Sequence, residues 1–192
     1  MHQATRVLLG SLWAFAALST CRAQAPSQPG FWVAGELGGG SATYNSNVLS
    51  HSNSGLTMGL EGAYSFNSRF SLGLRLNGCS LEASNLNDPS KGESISQLAV
   101  GVRVYPIPGQ GLFLRGGLGS LRYTNNHPMA FKGSGTGFSL GAGYEFPLTK
   151  RLHFSPVVDV TQGKLDDVNN ALATIRDRRV RFVSFGISLK FS

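Results

Sequence analysis

The final strand of the chain is what most constrains its fold. In Val180–Ser192, Val183, Phe185, Ile187, Leu189 and Phe191 share one face, while Ser184, Gly186, Ser188 and Lys190 share the other. A repeat of two residues is that of a β-strand. In water, an apolar strand at the edge of a sheet invites pairing with other chains. Closing a barrel in lipid removes the problem: the backbone groups pair with a neighbouring strand and the apolar side chains meet acyl chains.

Seven further alternating segments precede it. They are read at about 31–40, 56–66, 69–77, 96–105, 112–124, 138–146 and 152–160. In the second, Leu56, Met58, Leu60, Tyr64 and Phe66 oppose Thr57, Gly59, Glu61, Ala63 and Ser65. The fourth sets Leu98, Val100, Val102 and Val104 against Gln97, Ala99, Gly101 and Arg103. The connections alternate in length. Asn67–Ser68, Pro106–Gly111 and Pro147–Arg151 are short, whereas Ser41–Ser54, about Cys79–Ile95, Asn125–Gly135 and Gln162–Arg179 are long and polar. Short turns on one side and long loops on the other fit an outer-membrane barrel with both termini on the periplasmic side.

The N-terminus fits export. Arg6 precedes an apolar stretch, Val7–Leu18, and Ala23-Gln24-Ala25 matches a small-x-small cleavage site. The stretch is too short to span a bilayer comfortably. The expectation is a cleaved signal peptide over residues 1–25 and one barrel domain over 26–192; lipidation at Cys21 is the alternative. Cys79 is then the one cysteine of the exported part, so an internal disulfide is excluded. Charged residues are 14% of the chain, against about 25% in soluble domains, too few to coat a secreted globule. The net charge of +7 includes Arg6 and Arg22, and much of the rest is the run Arg176–Arg181, which argues against general nucleic-acid binding.

Aromatic residues recur at the periplasmic strand ends: Phe31 and Trp32, Tyr64, Phe66, Phe70, Tyr105, Phe113, Tyr144, Phe146, Phe154 and Phe191. They predict an interfacial girdle, although Tyr105 and Phe113 fall on the inner face by parity.

These segments and the closing run Phe185-Gly186-Ile187-Ser188-Leu189-Lys190-Phe191 resemble the small eight-stranded outer-membrane barrels, the superfamily of the OmpA transmembrane domain and OmpX. The resemblance implies an all-β, antiparallel up-and-down transmembrane barrel in a Gram-negative outer membrane, without cofactor. It also implies that the assembly machinery reads Phe185, Ile187, Leu189 and Phe191; in this chain Ser192 follows the usual terminal aromatic. A monomer is expected. The fold hosts adhesins, enzymes, anchors and narrow pores, so it does not choose among activities.

The inner faces carry Glu36, Glu61, Arg75, Arg103, Arg115, Glu145, Asp159 and Lys190. A lumen of this width is filled by side chains, so these charges are expected to pair as a plug, the alternative being a narrow gated channel. His153 and Ser155 resemble the His-x-Ser pattern of lipid A deacylases, but Pro156 stands where asparagine is usual and alternation points both residues inward. Gly30-Phe31-Trp32 resembles a lipocalin start, yet a lipocalin needs a charged exterior. Gly133–Gly137 precedes no helix and is no phosphate loop, and no residue set has metal-ligand spacing. In the fourth loop, Leu165, Val168, Leu172 and Ile175 have helical spacing, with Asp166 and Asp167 first and Arg176 and Arg178 last. Arg176, Arg178, Arg179 and Arg181 at that rim are the candidate contacts to lipopolysaccharide phosphates.

Overall fold

The computed structural model describes residues 29–45, 50–80, 93–125, 131–165, 168–169, 174–175 and 178–192. In chain order the strands are β1 (Gly30–Asn45), β2 (Ser50–Ser65), β3 (Phe70–Ser80), β4 (Glu93–Val104), β5 (Leu112–Asn125), β6 (Phe131–Tyr144), the two-residue β7 (Phe146–Pro147), β8 (Leu152–Leu165), the two-residue β9 (Val168–Asn169) and β10 (Thr174–Ile175), and β11 (Arg178–Phe191). The eight long strands pair antiparallel in sequence order, and β1 pairs with β11 to close the ring. The architecture is an eight-stranded antiparallel barrel.

The register fixes how the ring closes. From Gly35 the paired positions run through Leu60, Leu76, Leu98, Ser120, Thr136, Lys164 and Arg179 to Asn45 on β1. The circuit therefore ends ten residues from its start (45 − 35). An even offset lets inward positions meet inward positions at the seam; an odd one would set a lipid-facing row against a lumen-facing row. Alternation follows everywhere. Leu60, Leu74, Leu118, Leu140 and Phe185 are exposed on the outside, while Arg103, Phe113, Glu145 and Lys190 are buried within. Such a continuous apolar exterior far exceeds the few hundred Å² a soluble monomer tolerates.

The short turns at one end of the barrel are tightly built. Asn67 Oδ1 accepts hydrogen bonds from the backbone N–H groups of Arg69 and Phe70, at 2.8 and 2.9 Å. Gly109, with φ of 80°, supplies the left-handed residue between β4 and β5.

Two expectations about the loops are corrected. The strands run further than the loop boundaries allow. Pairing between β1 and β2 continues from Ser41↔Ser54 to Asn45↔Ser50, and β8 pairs with β11 up to Leu165↔Arg178. Polar residues end a lipid-facing pattern but not a hydrogen-bonded ladder. The helix expected in the fourth loop is replaced by a small hairpin, with Val168 opposite Ile175 and Asn169 opposite Thr174. A spacing of seven suits two helical turns and a hairpin rung equally; the extended strands below select the hairpin. Asp166, Asp167, Leu172 and Arg176 lie outside the described residues.

Candidate functional site: the lumen and its outer rim

The lumen holds three layers. The layer at the short-turn end is aromatic: Trp32, Tyr105 and Phe113 are all buried. Trp32 is therefore not part of the girdle expected from sequence. Alternation sends Phe31 outward and Trp32 inward, where its Nε1 donates to Ser65 Oγ at 3.1 Å. The outer girdle includes instead the edge-packed pairs Phe31 on Tyr64 and Tyr64 on Phe66, and the tilted pair Tyr144 and Phe146. Replacing Trp32 with Phe should lower stability by about 1 kcal/mol, the value of one internal hydrogen bond, read as a lower urea midpoint.

The middle layer is ionic. The Arg103 guanidinium lies 4.3 Å from the ring centres of both Trp32 and Phe113. It donates to Glu145 Oε1 at 3.0 Å and to Glu61 Oε2 at 2.7 Å. Glu145 also accepts from the Tyr105 hydroxyl at 2.9 Å and from Lys190 Nζ at 2.9 Å. Further along the axis, Arg75 donates to both carboxylate oxygens of Asp159, at 3.0 and 2.7 Å. Arg75 reaches Glu36 at 3.3 Å. Arg115 joins the two groups: it bonds Glu36 and Asp159 through several nitrogens and reaches Glu61 at 3.3 Å. All eight inward charges expected from alternation thus meet in one network of four acids and four bases. Pairing of this kind is what makes buried charge tolerable.

The outward layer is apolar and has no counterpart in the sequence reading. Ala42, Cys79, Ile95, Leu121, Tyr123, Leu165, Val180 and Phe182 form one buried cluster. Ala42, Cys79, Ile95 and Leu165 lie where loops were expected, so the alternation that would place them was cut short there, whereas Leu121, Tyr123, Val180 and Phe182 fall within expected strands. The space between Cys79, Ile95, Gln97, Leu121, Thr161 and Phe182 is about 10 Å³, at most about one water.

His153 and Ser155 are both buried in the wall, and neither His153 Nδ1 nor Ser155 Oγ has a hydrogen-bond partner. They do not form a nucleophile–base pair. The lipocalin arrangement is reversed, with charge inside and apolar residues outside. Among the described residues, no group of His, Cys, Asp and Glu could hold a metal ion. At the rim, Arg179 and Arg181 face outward and are exposed; Arg176 and the Arg178 side chain lie outside the described residues.

A closed eight-stranded barrel with an apolar exterior agrees with a family match. The description "outer membrane protein beta-barrel domain" fits residues 11–191. The chain belongs to that family. Its fold is similar to that of Neisserial surface protein A, with a TM-score of 0.59 at 14% identity, covering 86% of this chain and 100% of that one. It is also similar to Ail, the attachment invasion locus protein of Yersinia pestis, with a TM-score of 0.51 at 15% identity, covering 83% and 98% of the two chains. Among curated proteins, none matches by sequence. The structural relatives are bacterial outer-membrane barrels, and at these identities they speak for the fold alone.

Proposed function

We propose that this chain is exported by a cleaved signal peptide, resides as a monomer in a Gram-negative outer membrane, and acts by recognition at its outer end, without catalysis or a wide pore. The observation that carries this reading is the filled lumen. An ionic layer spans the barrel, and an apolar layer covers it on the side of the long connections. A hydrated ion crossing this path would have to break the network and then wet Leu121 and Phe182.

What remains open to partners is the rim, where loops concentrate recognition. Arg179 and Arg181, with Arg176 and Arg178 beside them in sequence, suit lipopolysaccharide phosphates there. On this reading the strand bearing Phe185, Ile187, Leu189 and Phe191 serves assembly.

Planar-bilayer recording tests the reading. The purified protein is expected to give no stable conductance steps. Small discrete steps would favour the narrow channel, and large stable ones would overturn the closed lumen. Unchanged lipid A mass on expression, with Ser155→Ala as the control, is the expected result for the absence of deacylation.

A further inference from the structure

We propose that the short-turn end of the barrel carries two separate seats for anionic glycerophospholipid headgroups, one at Arg69 and one at Lys150 and Arg151. The leaflet is the periplasmic one in the orientation of the proposed function; the seats themselves rest only on the barrel lying in lipid. Arg69 stands in the turn between β2 and β3, and Lys150 and Arg151 stand in the turn between β7 and β8. Four long strands separate the two turns in either direction round the ring, so the seats are on opposite sides. All three cationic residues are exposed.

The two turns share a construction. At the first, the Phe66 N–H donates to the Phe70 carbonyl at 3.0 Å, and the two rings lie 5.9 Å apart. At the second, the Leu148 N–H donates to the Leu152 carbonyl at 2.9 Å, and the Phe146 and Phe154 rings lie 6.3 Å apart. Each ring pair is on the outer face, beside a basic turn. Aromatic rings of a barrel settle at headgroup level. The neighbouring cations therefore lie at the depth of lipid phosphates. The backbone holds them there: the Arg69 carbonyl accepts from the Tyr105 N–H, and the Arg151 carbonyl from the Ser192 N–H, both at 2.9 Å. The side chain of Leu148, exposed in the second turn, adds apolar contact to that seat.

Charge decides which lipid. Among the described residues, the acidic side chains are Glu36, Glu61, Glu145 and Asp159 in the ionic network and Glu93 at the other end of β4. Glu93 accepts there from Asn53 and Tyr123. No described acidic side chain stands at the short-turn end. Cations without acidic neighbours favour a headgroup of net negative charge over a zwitterion, whose ammonium they repel. Arginine also pairs with phosphate through two parallel hydrogen bonds. The third short turn, Pro106–Gly111, has no charged residue and so no seat.

The test is native mass spectrometry of the mature protein released from micelles holding equal phosphatidylglycerol and phosphatidylethanolamine. Two phosphatidylglycerol molecules should stay bound per barrel. Each cation at an interface is worth roughly a fivefold preference. On titration, Arg69→Gln should weaken one seat about fivefold, and Lys150→Gln/Arg151→Gln should weaken the other about 25-fold. The triple variant should retain neither lipid, with the unboiled gel shift verifying that it folds. Unchanged retention by the folded triple variant would overturn the seats. So would equal retention of the two lipids by wild type, an arm that needs no variant to fold. A third phosphatidylglycerol held as tightly would overturn the count of two. The leaflet is tested separately with Gln110→Cys in the third short turn, because Cys79 is buried. A membrane-impermeant maleimide should label it only in permeabilised cells. Labelling of intact cells would overturn the periplasmic leaflet and the proposed orientation without touching the seats.

Discussion

Glu145→Ala is expected to lower the stability of the barrel by about 3–5 kcal/mol, the cost of leaving a buried charge uncompensated. Glu145 and Lys190 are both fully buried. Glu145 accepts from Arg103, Tyr105 and Lys190 together. Lys190 has no other ion-pair partner among the described residues. Removing the carboxylate strands an ammonium beside an arginine. The double variant Glu145→Leu/Lys190→Met removes both charges, and its cost should be well below that of the single variant, because apolar replacement of a whole pair is often neutral or better. The urea midpoint of the compact form, followed by its faster migration on unboiled gels, measures both. A double variant as unstable as the single one would mean that Lys190 is not the stranded group.

Gly119→Val is expected to prevent the barrel from forming. A Cβ built on Gly119 would lie 2.0 Å from the Leu98 carbonyl oxygen and 2.5 Å from the Ala99 Cα. Both are backbone atoms of β4, so no side-chain rotation relieves the clash; the β4–β5 ladder itself must part. Gly62, on the outward face, has nothing within 4 Å of the same construction. Gly62→Val should therefore fold and fill lipid-facing space. Refolding yield into detergent, read by β-type circular dichroism and the unboiled gel shift, distinguishes the two. Equal yields would show that the ladder yields locally at Gly119.

The ring of ion pairs shows how far alternation reaches. Parity alone set Glu36, Glu61, Arg75, Arg103, Arg115, Glu145, Asp159 and Lys190 on inner faces, because a strand reverses its side chains at every residue. It could not say which acid meets which base. Those pairings cross the lumen, joining Arg75 of β3 to Asp159 of β8 and Arg103 of β4 to Glu145 beyond β6. They depend on the offset at which β1 meets β11. The same parity places Trp32 inside, but its neighbour Phe31 and the general pull of aromatic rings toward headgroups point the other way. The hairpin of Val168 and Ile175 was hidden by a spacing common to helix and hairpin.

The sequence by itself determined the strand count, the inward and outward faces and the closure in lipid, since these follow from a period of two and the apolar character of one face. Only the tertiary structure decided the contacts made across the ring: the single ionic network and the apolar layer of Leu121 and Phe182 above it. Periodicity acts along one strand and fixes direction. The register acts between strands and fixes proximity, and proximity is what buries charge and excludes water.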